Sequence, residues 1–536
     1  MEDSTSWAIL ISTTVFLLII IMNVVKLNKE LEGSQSLISL TAGTTLMLLI
    51  VTIPSVIAIP MFWIYKQLIQ CYLKFVHGSR FIGMIEGTDA TYASNEKSDS
   101  VVMALFVYEI SADTKPSDVF ENLRNLVNTH FIENKEKLQK FHCTIHYFNG
   151  YMYMLKENVT LNDCVRNMNT INDKEEITKD ELITLINQYK DTNFLNNDRL
   201  LWDVVIGTQP VKWNSKTGVK YYPTLFRFHH AICDGFSFGQ FIFGVAADEG
   251  KGKNTREAFI KKTTDASPPT MLVIEQLVKK KEYNILHGPK LKKVSVFTAK
   301  VDDGAYFKKI KYIKSSVPGV SFSDVVFAAL SYSLHEYFQK HSSTQPKYLP
   351  LVIPFLQKAI HLQQLPAGKL TVDDIILNNT FDLLNLDLPI TIENVNQNTP
   401  HQQRLKAIRK QSQQMAASTT NKVLHFATHF LLQILPLRIL RYIINTMEWA
   451  SIVSILPGPE DVTMCNGAMS VENIVSWVPR MKGVGCNFSV ISYGNKIQLG
   501  LSVDSALIPN EKEAKTVLDN TFIYLELLEK EIKANI

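Results

Sequence analysis

Leu225-Phe226-Arg227-Phe228-His229-His230-Ala231-Ile232-Cys233-Asp234-Gly235-Phe236-Ser237 is the stretch on which the reading of the 536-residue chain turns. An apolar, aromatic-rich run leads into adjacent histidines, and an Asp-Gly pair follows three residues later. Histidine, with an unperturbed pKa of about 6.5, is the natural general base at neutral pH. Asp-Gly favours a tight turn, because glycine accepts a positive φ and the carboxylate can bond nearby backbone. The spacing predicts a base at a strand end, then a sharp turn, then a helix over 238–247.

Working outward, the chain alternates strand and helix patterns. Val101–Ile110, Arg199–Ile206 and Pro223–Phe228 read as buried strands. Pro116–Phe131, opened by a Ser/Asp cap, and Asp180–Tyr189 read as helices, with a polar stretch between them. A lysine-rich passage, 251–293, separates this half from a second one. There Ser321-Phe322-Ser323-Asp324 caps a periodic helix, Val325–Phe338, and a strand follows over Tyr348–Pro354. A helical tract runs from His401 towards Trp449, and Pro436, Arg438 and Arg441 make its apolar part, Leu424–Leu440, buried or interfacial rather than spanning. Phe488–Ser492 and Ile497–Val503 alternate as strands, and a last helix starts at Glu511. These elements make an α/β protein divided as an anchor over 1–80, a lobe over 85–250, a linker over 251–293 and a lobe over 294–536.

Net charge of +4 without an arginine-rich patch excludes nucleic acid as a main partner. Six scattered cysteines with no CxxC spacing form neither a zinc site nor a disulfide framework and suit a reducing compartment. His425 and His429 stand at helical spacing but without HExxH, so no metal site is predicted. Trp7–Val25 is an uncharged run matching the length of about 20 residues that crosses a bilayer. A second uncharged run, Leu37–Tyr65, follows and is interrupted by Pro54 and Pro60. Together they predict N-terminal transmembrane helices and membrane lipid as a partner. Lys66, Lys74 and Arg80 just beyond them place the body in the cytosol. On that topology the three Asn-x-Ser/Thr matches, at Asn158, Asn378 and Asn487, are chance.

His229-His230 with Asp234-Gly235 fits HHxxxDG, and the order of the surrounding motifs resembles the wax ester synthase/diacylglycerol acyltransferase family. Leu200-Leu201-Trp202 is similar to that family's PLW element, with leucine for proline. Ser323-Asp324 resembles its ND element, with serine for asparagine. Ser454-Ile455-Leu456-Pro457-Gly458-Pro459 resembles SNVPGP, with isoleucine for asparagine, and Ser492-Tyr493-Gly494 with Gly500 and Asp504 resembles its late strand pair. The resemblance covers about residues 85–530. It implies a chloramphenicol-acetyltransferase-like fold of two αβ lobes with mixed sheets and a tunnel between them.

It also implies a reaction: transfer of a fatty acyl group from acyl-CoA to a fatty alcohol or diacylglycerol, in the endoplasmic-reticulum membrane. Acyl-CoA is a substrate, and no cofactor is called for. The family's assignment makes His230 the general base and His229 its support. Asp234 and Gly235 hold the turn. Asp324, Asn487, Ser489 and Trp202 are candidates for tunnel wall or oxyanion donors, with Asp324 also a helix cap on bare physics. Cys233 occupies a variable motif position and reads as buried filler. The contrasting expectation is a membrane-tethered lipid-binding protein of this fold without catalysis, against which the intact HHxxxDG stands.

Overall fold

The computed structural model describes residues 58–535, apart from 95–96, 191, 196–199, 249–282, 357–369, 380, 394–395, 418–431, 447–448, 460 and 482. The histidine strand, Val219–His229, is buried almost end to end and lies inside a six-stranded mixed sheet. Val101–Ser111 runs antiparallel on one side of it and Trp202–Ile206 antiparallel on the other. All three are rich in β-branched and aromatic residues, as a strand covered on both faces requires. Val101 pairs with His229 and Trp202 with Phe228, so the ladder ends where the motif begins.

A second six-stranded sheet contains, in order, Phe381–Pro389, Tyr348–Leu356, Ser451–Pro457, Cys486–Tyr493, Lys496–Asp504 and Ser295–Val301. The helices Phe322–His341, Pro400–Ala417 and Glu511–Ala534 cover it. Two αβ lobes with mixed sheets are therefore present. They do not divide at residue 294, however. The strands Thr463–Met464 and Met469–Trp477 leave the C-terminal half and extend the first sheet, Met469–Trp477 pairing with Val101–Ser111. The chain then returns as Cys486–Tyr493, and the crossing is pinned at several points. Ser489 Oγ donates to Ser476 O, Trp477 Nε1 to Thr298 O (2.9 Å) and Tyr493 OH to Val471 O (2.7 Å).

Other expectations need correction. The polar stretch after 131 contains two strands, Cys143–Phe148 and Tyr151–Lys156, which join Phe81–Met84 in a small antiparallel sheet. Tyr151–Lys156 is buried almost throughout, so no apolar-polar alternation marks it. The helix at Pro116 starts without a Ser/Asp cap: Lys115 is the N-cap, and proline fills the first turn, where its missing N–H costs nothing. The tract from His401 is broken, with a turn at Pro436 before the helix Leu437–Thr446. Residues 418–431 of it, most of 251–293 and the whole of Trp7–Val25 lie outside the described residues.

No helix among the described residues is long and apolar enough to cross a membrane. The end of the second apolar run instead opens a helix over 58–77 that packs on the small sheet. Lys66, just beyond the end of that run, is buried there. Its Nζ donates to Glu86 Oε1 (2.5 Å) and to Gln433 O (2.5 Å).

Candidate active site

His230 is the first residue beyond the histidine strand, and its N–H adds one more bond to the ladder by donating to Ser100 O (2.8 Å). The chain then turns. Ile232 N donates to His229 O (2.9 Å) and Ala231 N to His229 Nδ1 (3.1 Å), so the first histidine's ring holds the backbone that aims the second. Asp234 caps the following helix, Gly235–Phe241, accepting from Ser237 N (2.7 Å). That helix begins at Gly235, three residues earlier than its periodicity predicts. Gly235 takes no positive φ. Space is tight there instead: a Cβ would lie 3.2 Å from Leu456 Cδ1, in the Ser454–Pro459 element, and that side chain would have to shift.

Two further segments complete the site. The helix Gly87–Ala93 lays the Tyr92 ring flat on His230, with centroids 3.8 Å apart and planes at 12°. Phe381 stands edge-on to the same imidazole at 5.9 Å. Behind them runs a polar chain. Asn379 Nδ2 donates both to His230 O (2.6 Å) and to Asp89 Oδ1 (2.6 Å). Lys140 Nζ donates to Asp89 Oδ2 (2.7 Å) and Asn378 Oδ1 (3.1 Å). The Asn378 carbonyl accepts from Asp234 N (3.3 Å) and Ser237 Oγ (2.9 Å). The motif is thus fastened to residues 378–381, where the C-terminal half enters its sheet.

Burial dominates the electrostatics. It pushes the His230 imidazole down to about 4, outweighing the Asn379 amide and the residue's own backbone, which favour the charged ring. Nδ1 is enclosed and has no hydrogen-bond partner among the described residues. Burial also raises Asp89 despite Lys140, and raises Tyr92, with Asp234's charge adding to it. Cys233 is fully buried and its thiol is held well above the ordinary range, unsuited to nucleophilic attack.

The remaining sequence candidates sit elsewhere. Trp202 packs beneath the motif, stacked on Phe131 at 5.2 Å with Nε1 donating to Phe141 O (2.7 Å). Asp324 forms a capping box with Ser321: Ser321 N donates to its carboxylate (2.8 Å), and its own N–H donates to Ser321 Oγ (3.0 Å). Asn487 accepts from Ile452 N (3.2 Å) and donates to Pro479 O (3.3 Å). Ser489 is bonded into the sheet crossing. Among the described residues, the hydrogen bonds of these four side chains lie within this scaffold. Asn379, by contrast, escaped sequence reading because it stands in an Asn-x-Thr match taken as chance, with no catalytic spacing to mark it. No cluster that could hold a metal occurs among the described residues.

Three outcomes follow from this geometry. Asn379→Ala strips the donor from His230 O and removes a partner from Asp89. It is expected to lower kcat about tenfold or more, in line with the 1–3 kcal/mol cost of unsatisfied buried groups, with KM for the thioester nearly unchanged. Because the ring is neutral in the folded chain until pH falls to about 4, kcat/KM should lose activity only through that range, not near 6.5. The same depression, shared by His335 at about 4, makes the unfolded chain the better proton acceptor between those values. Stability should therefore be full above about 6.5 and fall as pH drops from there towards 4, as thermal melts would read.

Residues 377–526 match the family model described as the WS/DGAT C-terminal domain. By sequence, no curated protein is matched. Among solved structures, the chain is similar to the wax ester synthase/diacylglycerol acyltransferase from Marinobacter aquaeolei, at 15% identity and a TM-score of 0.53, over 83% of this chain and 100% of that one. It is also similar to the trichothecene 15-O-acetyltransferase from Fusarium sporotrichioides, at 11% identity and a TM-score of 0.51, over 82% and 95%. Asn378, Asn379 and Phe381, which fasten the motif, open the matched domain. Residues 377–526 are thus a C-terminal domain of the wax ester synthase/diacylglycerol acyltransferase kind, and the described chain shares the fold of these two acyltransferase structures.

Proposed function

We propose that the chain transfers a fatty acyl group from acyl-CoA to a long-chain alcohol, making wax ester, with diacylglycerol as its second acceptor. The observation that carries this reading is a buried, uncharged His230 at the end of the motif strand, seated against the opening of the matched domain. The alcohol oxygen attacks the thioester carbonyl as His230 takes its proton. The tetrahedral intermediate then collapses, the C–S bond breaks, and the CoA thiolate recovers that proton from the imidazolium. Ester and free CoA leave, and His230 is neutral again. No acyl-enzyme forms and no further cofactor takes part. Asp234, Gly235 and His229 hold the geometry.

The body works at the cytosolic face of the endoplasmic reticulum. Both acceptor and product are insoluble, whereas the acyl-CoA comes from the aqueous side, and the apolar runs at Trp7–Val25 and Leu37–Tyr65 supply the tether. The test is competition: the purified full chain is given labelled acyl-CoA with a long-chain alcohol and diacylglycerol at equal concentration. Wax ester should predominate. A clear excess of triacylglycerol would reverse the order of acceptors, and no ester of either kind would remove the enzyme reading.

A further inference from the structure

Helix 58–77 is apolar on two faces. Ile69 and Leu73 are buried against Tyr151, Tyr153 and Leu155 of the small sheet, where Lys66 is neutralised by Glu86. The opposite face carries Met61, Ile64, Leu68, Tyr72 and Phe75, spaced three to four apart, and Phe75 is 88% exposed. Tyr65 and Val76 widen the stripe. Seven of the thirteen large exposed hydrophobic side chains among the described residues lie on this one helix. Such a concentration marks an interaction surface, not scattered exposure.

We infer that helix 58–77 lies flat in the headgroup region of the bilayer, its outer stripe against lipid and its inner stripe on the enzyme body. Three observations select lipid as the occupant. The chain feeding the helix at residue 58 is the uncharged run that begins at Leu37. The stripe mixes tyrosine with aliphatic and phenyl groups, as interfacial segments do. The charges beside it are basic: Lys74 and Arg80 at its end, and Arg438 on the helix Leu437–Thr446, whose entry segment is hydrogen-bonded to it through Lys66 and Tyr151. Two acidic groups here, Glu86 and Glu157, are paired with Lys66 and Arg80.

This surface has a direct line to the chemistry. The helix passes through the strand Phe81–Met84 into the helix Gly87–Ala93, which places Tyr92 and Asp89 at His230. A body resting on this face presents the segment next to the base towards the phase that holds the acceptor. The inference rests on the membrane placement proposed above, but not on which alcohol is acylated.

The experiment uses the full chain in phosphatidylcholine/phosphatidylserine vesicles. Exposed Cys71 is replaced by serine, and M61C, L68C and F75C are labelled one at a time with an environment-sensitive fluorophore; I523C, on the C-terminal helix, is the control. All three stripe labels should be quenched by lipids carrying a shallow nitroxide, to the same extent, and shielded from aqueous iodide, whereas I523C should show the reverse. Depth increasing steadily from F75C to M61C would mean a continuing transmembrane helix and overturn the inference. So would shielding without lipid quenching, the sign of a protein partner or of the chain's own N-terminal run. Stripe labels open to iodide on vesicle-bound protein would overturn the inference while sparing the tether. Failure to float with vesicles would overturn both.

Discussion

His230→Ala is expected to cut kcat for ester formation about 10²–10⁴-fold, the usual worth of a positioned general base. The loss should fall on kcat, because the imidazole's work is proton removal as the C–O bond forms; KM for acyl-CoA should move little. Alanine also empties the space between the Tyr92 and Phe381 rings, so a melting curve must accompany the assay. His230→Gln fills most of that space without supplying a base. It should restore the melting temperature towards wild type and leave the rate low. An alanine variant as fast as wild type would remove His230 from the mechanism.

The second large effect is on stability, and it sits on the strand that leads to His230. Arg227 and Asp203 are almost wholly buried and meet through two bonds, Nε to Oδ1 (2.7 Å) and Nη2 to Oδ2 (2.5 Å). The remaining guanidinium donors are used too, on Tyr189 O (2.5 Å), Thr192 Oγ1 (2.8 Å) and Asn193 O (2.9 Å), while Arg166 adds a second cation at Asp203 (2.9 Å). Arg227→Met would take the bidentate partner from the buried Asp203, leaving it Arg166 and the Leu195 N–H, and would free several carbonyls at once. A loss of about 3–5 kcal/mol is expected, read as a lowered denaturation midpoint. Arg227→Lys should recover only part of it, since an ammonium cannot reproduce the fork. A variant with unchanged stability would show that the network is not needed for the fold.

Arg227 illustrates what the sequence made legible and what it hid. It belongs to the quoted stretch, where it reads as an interruption of an apolar run. Only the sheet reveals that its partner comes from the neighbouring strand at Asp203, paired directly opposite it. The motif strand, its neighbours at Val101 and Trp202, the capped helix at Ser321 and the terminal helix at Glu511 were all readable, because periodicity and caps are local signals. The excursion of Met469–Trp477 into the first sheet was not, since a strand's pattern says nothing of which sheet it joins. The site divides the same way. His230 was visible through its spacing, whereas Tyr92, Asp89, Lys140 and Asn379 reach it through contacts between residues far apart in the chain.

The most direct test of the account is a rapid-quench measurement on the purified full chain with labelled acyl-CoA, with and without a long-chain alcohol. With alcohol, ester and free CoA should appear together in equal amounts, and His230→Ala should slow both alike. Without alcohol there should be no burst of CoA and no label on the protein. Labelled protein, or a CoA burst that precedes ester, would contradict direct transfer to an alcohol activated by His230.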